Sequence, residues 1–207
     1  MPYRTTAKML QRKEAHRARL LKTAIGMFGK HGYHATTVPM IVRESGSSTG
    51  AFYFYFRNKE DVFAAVLETI GQQIAGALNK AIAAAGEDTF RQMKAAVEGL
   101  IFFLAAHPLA ARILVVESSG LTPRLAGVRQ AIVASHCRSV ELALKKLPSL
   151  RPGMNPKVAA SCWVGAVLES VQQWLQTPKD QRLRPEMLAK EISGFNLRAI
   201  GVTQEVT

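Results

Sequence analysis

Apolar residues recur at intervals of three and four along most of the chain, which is the spacing of one face of an α-helix. Leu20, Ala24 and Phe28 show this spacing first, and later segments repeat it to about residue 201. Alternating apolar and polar residues bounded by turn residues, the pattern of a strand, are nearly absent. The sequence therefore predicts an all-α protein with about nine helices.

Capping and breaking residues place the ends of the first helices. The first helix starts at about residue 7 or 13 and ends before Gly32, a residue type common just past a helix C-terminus. Thr37 is suited to cap the second helix and Asn58 the fourth, because their side chains accept hydrogen bonds from free backbone N–H groups. Later helices are predicted over 90–106, 109–118, 124–147, 156–176 and 185–201.

The segment around Gly46 has the form of a helix, a tight turn and a second short helix. In a helix-turn-helix, the start of the second helix meets base edges in the major groove, while other residues contact phosphates. The predicted base-reading residues are Ser48, Thr49 and Gly50, with Ser48 or Thr49 as the cap. The predicted phosphate contacts are Thr37, Tyr53, Tyr55 and Lys59. Phe52 and Phe56 are four residues apart and are predicted to lie in the core.

Charge supports a nucleic-acid partner. The chain has 207 residues and a net charge of +12, and residues 1–60 hold 11 lysines and arginines against three glutamates. A polyanion would therefore meet the N-terminal part first. The basic residues before position 20, including Arg4 and Lys8, form either a DNA-contacting arm or a solvated helix face. Two separated cysteines and no leader-like apolar run predict a cytoplasmic location and no membrane partner.

The stretch from Leu21 to Leu67 resembles the DNA-binding domain of the TetR family of transcriptional repressors. The residues that carry the resemblance are Ala24, Phe28, Gly32-Tyr33, Thr36-Thr37-Val38, Ile41, Gly46, Gly50, Phe52 to Phe56, and Lys59-Glu60. The resemblance implies a helix-turn-helix domain, here residues 1–57, and a helical ligand-binding and dimerisation domain, here 58–207. Pro39 and Phe54 depart from residues that the family often has there, so the operator is expected to differ.

Two later segments carry apolar stripes suited to pairing with a second copy of the chain. Twofold pairing would place two recognition helices one turn of DNA apart. The predicted dimer-interface residues are Ala159, Trp163, Ala166, Val167, Ser170, Trp174, Ile192 and Phe195. A role in the core of the single chain is the competing interpretation for each of them.

The resemblance also implies a ligand pocket among the middle helices. Its predicted lining is Met93, Val97, Phe102, Phe103, His107, Leu114, Glu117 and Trp163, which favours a hydrophobic or aromatic inducer. Glu117 is interpreted either as a partner for a cationic ligand or as a helix-end residue paired with Arg112 or Arg124. His107 is likewise either a pocket or a helix-end residue.

No catalytic or metal-binding pattern stands out, so no enzyme activity, metal or cofactor is predicted. The overall prediction is a homodimeric repressor that binds a palindromic double-stranded DNA operator and is released by a small molecule. Three alternatives stay open: an enzyme built on the C-terminal helices, a nucleic-acid binder without sequence preference, and a regulator that needs no ligand.

Overall fold

A computed structural model describes residues 7–117, 121–147 and 150–202, and within them it contains nine α-helices and no strand. The helices are α1 (Ala7–Ala35), α2 (Val38–Glu44), α3 (Thr49–Tyr55), α4 (Lys59–Ala84), α5 (Thr89–Ala106), α6 (Pro108–Arg112), α7 (Pro123–Lys145), α8 (Pro156–Gln176) and α9 (Pro185–Ala199). A turn of π-helix, Ile113–Glu117, continues α6. The predicted all-α fold, with an N-terminal helix-turn-helix and a C-terminal bundle, is confirmed.

The predicted caps are also confirmed for the first helices. The side chains of Thr37, Ser48 and Asn58 accept hydrogen bonds from Met40, Ala51 and Asp61 backbone N–H groups. Each pair is three residues apart, so these helix starts depend on local sequence alone.

Two glycines turn the chain where no other residue does so easily. Gly46 (φ +62°) lies between α2 and α3, and Gly32 (φ +82°) interrupts α1 three residues before its end. Both backbones are in the left-handed region, which costs glycine little. The second half of the predicted helix 109–118 is not α-helical, because Ile113–Glu117 form the wider π-helical turn. Ser118 lies outside the described residues.

The apolar core is continuous from α1 to the residues after α9. Phe28, Ile41, Phe52 and Phe63 are fully buried in the N-terminal part, and Ile101, Leu125 and Leu144 are fully buried in the bundle. Helix α4 links the two regions because its buried residues run from Val62 to Ile74. The three N-terminal helices are therefore packed on a shared core.

Within the described ranges, no single helix is both long and apolar enough to cross a bilayer. Only α5 taken together with Pro108–Val115 meets the length and composition required, and those two segments meet at an angle of 106°.

Candidate DNA-binding surface and effector cavity

Helix α3 buries one face and exposes the other. Phe52 is fully buried, whereas Ser48, Thr49 and Gly50 are exposed and the side chains of Tyr53 and Phe54 are 53% and 65% exposed. These exposed residues form one polar and aromatic surface beside the turn at Gly46. A short helix presented in this way fits the major groove.

The first half of α1 supports α3 from behind. The Tyr55 hydroxyl donates to the Lys13 carbonyl oxygen at 3.0 Å, and a 2.9 Å hydrogen bond joins His16 Nε2 to Ser47 Oγ. The Lys13 ammonium lies 5.2 Å from the centre of the Phe54 ring. These contacts fix the orientation of α3 relative to the basic helix α1.

Some side chains predicted to contact phosphates keep a hydrogen-bond donor available, and others already bond within the protein. The Thr37 hydroxyl oxygen serves as a cap acceptor, and its hydrogen stays available to donate. Tyr55 is engaged with Lys13, as described above. The Lys59 ammonium donates to the Tyr33 and His34 carbonyl oxygens at 2.9 and 3.2 Å and lies 4.4 Å from the Tyr33 ring centre. Lys59 thus ties the start of α4 to the end of α1.

A cavity of about 490 Å³ lies between α4, α5, α7 and α8. Its lining includes Met93, Val97, Leu114 and Trp163, as predicted, and most of the other residues are aliphatic. Burial lowers the pKa of His136, a further lining residue, below its ordinary value. A site of this size and character suits a small apolar molecule or the apolar part of a larger one.

Four predicted pocket residues lie elsewhere, and their local contacts explain why. Phe102 borders a separate groove between α4 and α5. Phe103 stacks on His107 with ring centres 4.4 Å apart, and His107 caps the end of α5. Glu117 forms an ion pair with Arg112 at 3.0 Å, which agrees with its interpretation as a helix-end residue.

Glu117 also contacts the end of α1. The Tyr33 backbone N–H donates to Glu117 Oε2 at 3.2 Å, and a Cβ added at Gly32 would lie 2.9 Å from the same oxygen. Leu109 packs so closely on Gly29 that a Cβ there would lie 2.6 Å from the Leu109 Cβ. We call this contact of α1 with α6 and the π-helical turn the α1–α6 seam. It joins the N-terminal helices to a segment that also lines the cavity through Leu114.

A second link joins α7 to the start of α4. Arg124 Nη1 lies 2.5 Å from Asp61 Oδ1 and 3.8 Å from Glu60, and the Thr122 hydroxyl donates to Glu60. The hydrogen bond from Arg124 is the main cause of a lowered pKa at Asp61. Because the charged form is favoured in the folded chain, this link is present above the ordinary carboxyl pKa and is lost as the pH falls through the lowered value.

The residues predicted for the dimer interface also divide into two groups. Ala159, Trp163, Val167 and Ile192 are buried within the single chain, because this side of α8 and α9 packs on the protein's own core. Ala166, Ser170 and Trp174 are half-buried, and Phe195 is 59% exposed. The exposed side of α8 and α9 carries Val158, Cys162, Gly165 and Met187 together with Phe195.

Gly29 at the α1–α6 seam and the basic residues of the cavity were not predicted from the sequence. Gly29 in the middle of a helix was the available signal, since such a glycine often marks close approach of another backbone. Arg129 and His136 both line the cavity and are seven residues apart on α7, which is the spacing of one helix face.

Comparison with known proteins agrees with this geometry. Residues 20–66 match the profile of bacterial regulatory proteins of the tetR family. The chain is 26% identical over 180 residues to the uncharacterised HTH-type transcriptional regulator YdgC of Bacillus subtilis, covering 85% of this chain and 88% of that protein. It is 30% identical over 66 residues to the fatty acid metabolism regulator protein of Bacillus subtilis, a match that covers 31% of this chain and about a third (34%) of the relative.

A solved structure shares the whole fold. The transcriptional regulator FadR from Bacillus subtilis, determined in complex with stearoyl-CoA, superposes with a TM-score of 0.78 at 20% identity and covers 88% of this chain and 98% of that one. YdgC and FadR are transcriptional regulators, and the third relative is a regulator of fatty acid metabolism, so the predicted class, a regulator and not an enzyme, is confirmed.

Proposed function

We propose that this chain, which belongs to the TetR family of transcriptional regulators, is a homodimeric repressor that binds a palindromic operator and releases it when a small apolar molecule enters the cavity. Residues 1–57 read the DNA, and residues 58–207 bind the effector and the second copy. The observation that carries the proposal is an exposed recognition helix joined by α4 to a domain with an apolar cavity. A cytoplasmic location follows from the proposed DNA partner.

The DNA contacts follow from exposure and free hydrogen-bonding groups. Thr49 and Gly50 approach base edges, and Tyr53 and Thr37 donate to phosphates. Ser48 contributes its hydroxyl hydrogen, because its oxygen already accepts from Ala51. Lys59 and Tyr55 act on DNA mainly through the helices that they hold in place.

Effector release requires that the cavity and the recognition helix change together. Leu114 lines the cavity, and Glu117, three residues later, bonds to the end of α1. A ligand that moves the π-helical turn therefore also moves the support of the helix-turn-helix. DNA and effector then oppose each other with the same coupling free energy in both directions. The stearoyl-CoA bound by the FadR structure supports an effector with a long apolar part.

Selection from a random DNA pool tests the proposal as a whole. We expect the purified chain to enrich a palindrome whose half-sites are centred about 10 base pairs apart or a multiple of that spacing. A single half-site would contradict the homodimer. Binding of single strands as tightly as duplex would contradict specific reading, because stacking proteins show little sequence preference.

Phe54 should read thymine by apolar contact. Its ring is exposed on the recognition helix, and an apolar side chain in the major groove meets the thymine methyl group. Replacing that thymine by uracil removes one methyl group and should weaken binding about fourfold, the equivalent of about 0.8 kcal/mol. The measurement is the affinity for operators with each thymine replaced in turn.

The matched control for this prediction is Phe54→Ala. In that variant the same uracil operator should bind as well as the thymine operator. A loss that persists unchanged in Phe54→Ala would assign the methyl contact to another residue.

A further inference from the structure

The cavity is lined by basic side chains and by no acidic one. Arg129 and His136 of α7, and Lys146 directly after it, are among its 26 lining residues, and none of the 26 is aspartate or glutamate. Within the described parts of the chain, neither Arg129 nor Lys146 forms an ion pair. Among the described residues, no carboxylate therefore neutralises these two charges by direct contact.

Lys146 is exposed at the edge of the cavity, whereas Arg129 and His136 are half-buried in its lining. The exposed lining residues are Asn79 on α4, Ser135, Ser139 and Leu142 on α7, and Lys146 directly after α7, so the cavity opens between these two helices. The side opposite is apolar and deeply buried, with Trp163 only 5% exposed. A molecule in the cavity thus meets polar and basic groups along α7 and an apolar wall at α8.

From this polarity we infer that the effector is an anionic amphiphile, with its apolar tail toward Trp163 on α8 and its negatively charged head toward α7, held by Arg129 and His136. The inference rests on the proposed function and adds the charge of the ligand to it. Arg129 and His136 are about 10 Å apart along α7, since each residue rises about 1.5 Å, so the long Arg129 side chain can bring its guanidinium toward a head group bound at His136. Lys146 lies about 15 Å further along the helix and acts on the head at longer range.

The state of His136 fits a hydrogen-bond donor. Burial lowers its pKa, so near neutral pH the ring is uncharged and one nitrogen carries a hydrogen. Among the other residues that line the cavity, the only ionisable side chains are Arg129 and Lys146, because α4, α5 and α8 contribute none. A carboxylate or phosphate would accept from the His136 N–H and from the Arg129 guanidinium. Charge-assisted bonds of this kind are stronger than neutral ones.

Three probes with one tail and different heads test the inference: dodecanoate, dodecanol and dodecyltrimethylammonium, each below its micelle-forming concentration. Binding to the full-length protein is followed by titration calorimetry. We expect dodecanoate to bind at least tenfold more tightly than dodecanol and the cationic probe to bind least. Arg129→Ala should weaken dodecanoate about tenfold while changing dodecanol less than twofold, since only the head-group bond is lost.

Arg138→Ala is the matched control, because Arg138 is an exposed arginine on the same helix outside the cavity lining. It should leave all three affinities unchanged. A loss equal to that of Arg129→Ala would overturn the assignment of the head-group site. Melting curves of both variants confirm that they are folded.

The position of the tail has its own readout. In a Trp174→Phe background, Trp163 is the remaining tryptophan of the two in the chain. An ω-bromo fatty acid should quench its fluorescence, and an α-bromo acid of equal length should quench it less. The reverse order would overturn the proposed orientation.

The outcomes separate this inference from the proposed function. If dodecanol binds as tightly as dodecanoate and releases the operator, the inference of an anionic head group is wrong. The proposed release of the operator by an apolar effector is then retained. If none of the probes binds, the inference fails together with effector release by an apolar molecule. Comparison of dodecanoate with dodecanoyl-CoA then distinguishes a free acid from a thioester as the source of the anionic head, and tighter binding of either supports the inference.

Discussion

Replacing Phe28 by alanine should lower the free energy of unfolding by about 3–5 kcal/mol, the usual cost of a large cavity in a core. The Phe28 side chain is 0% exposed. Its ring meets Phe63 of α4 edge-on at 4.8 Å between centres and stacks on Tyr33 at 5.9 Å. The substitution therefore loosens α1 from α4, and operator binding should be lost at temperatures where the native protein still binds. Chemical denaturation measures the stability change.

Phe54→Ala is the matched control, since it removes the same side chain from a site that is 65% exposed. Its stability should stay within about 0.5 kcal/mol of the native value. If the two substitutions cost the same, the packing around Phe28 described above is incorrect. Because Phe54 is proposed to read DNA, the control is scored on stability and not on operator affinity.

Gly29→Ala should both destabilise the protein, by about 1–3 kcal/mol, and weaken the effect of effector on operator affinity. The new Cβ would lie 2.6 Å from the Leu109 Cβ and 3.1 Å from the Leu109 Cα. Backbone atoms cannot rotate away, so α6 must shift from α1. The shift opens the α1–α6 seam through which Leu114 and Glu117 connect the cavity to α1. Operator affinity measured with and without effector gives the coupling.

Gly26→Ala provides the comparison on the same helix, because nothing lies within 4 Å of its added Cβ. Alanine is the better helix former, so this variant should be more stable by about 0.5–1 kcal/mol. If effector lowers the operator affinity of Gly29→Ala as much as it lowers that of the native protein, the α1–α6 seam does not transmit the change.

Local features of the fold were predictable from sequence and long-range ones were not. The caps at Thr37, Ser48 and Asn58 were predicted because each side chain bonds to a group three residues away. Glu117 was ambiguous because one of its partners, the Tyr33 N–H, is 84 residues distant. Lys59 and Tyr55 have side chains suited to phosphate contacts. Both, however, already donate hydrogen bonds to backbone carbonyl oxygens of this chain, 26 and 42 residues away in sequence.

Prediction of the cavity lining from the sequence was limited in the same way. Met93, Val97, Leu114 and Trp163, apolar residues that the family resemblance assigned to a pocket, line it. Phe102 has the same character but faces a solvent groove, since residues on adjacent faces of α5 differ in surroundings and not in hydropathy. Arg129 and His136 were missed because a basic residue on an amphipathic helix ordinarily belongs to its solvated face.

In the π-helical turn, Ile113–Glu117, the number of residues matters as much as their identity. A π-helical turn holds one residue more than an α-helical turn, and this extra residue sets where Leu114 and Glu117 point. Deleting one residue between Leu114 and Glu117 would restore a regular turn and leave these two residues two positions apart, about 200° from each other around the helix axis. The carboxylate would then leave the end of α1. The segment therefore cannot be shortened without disconnecting the cavity from the recognition helix.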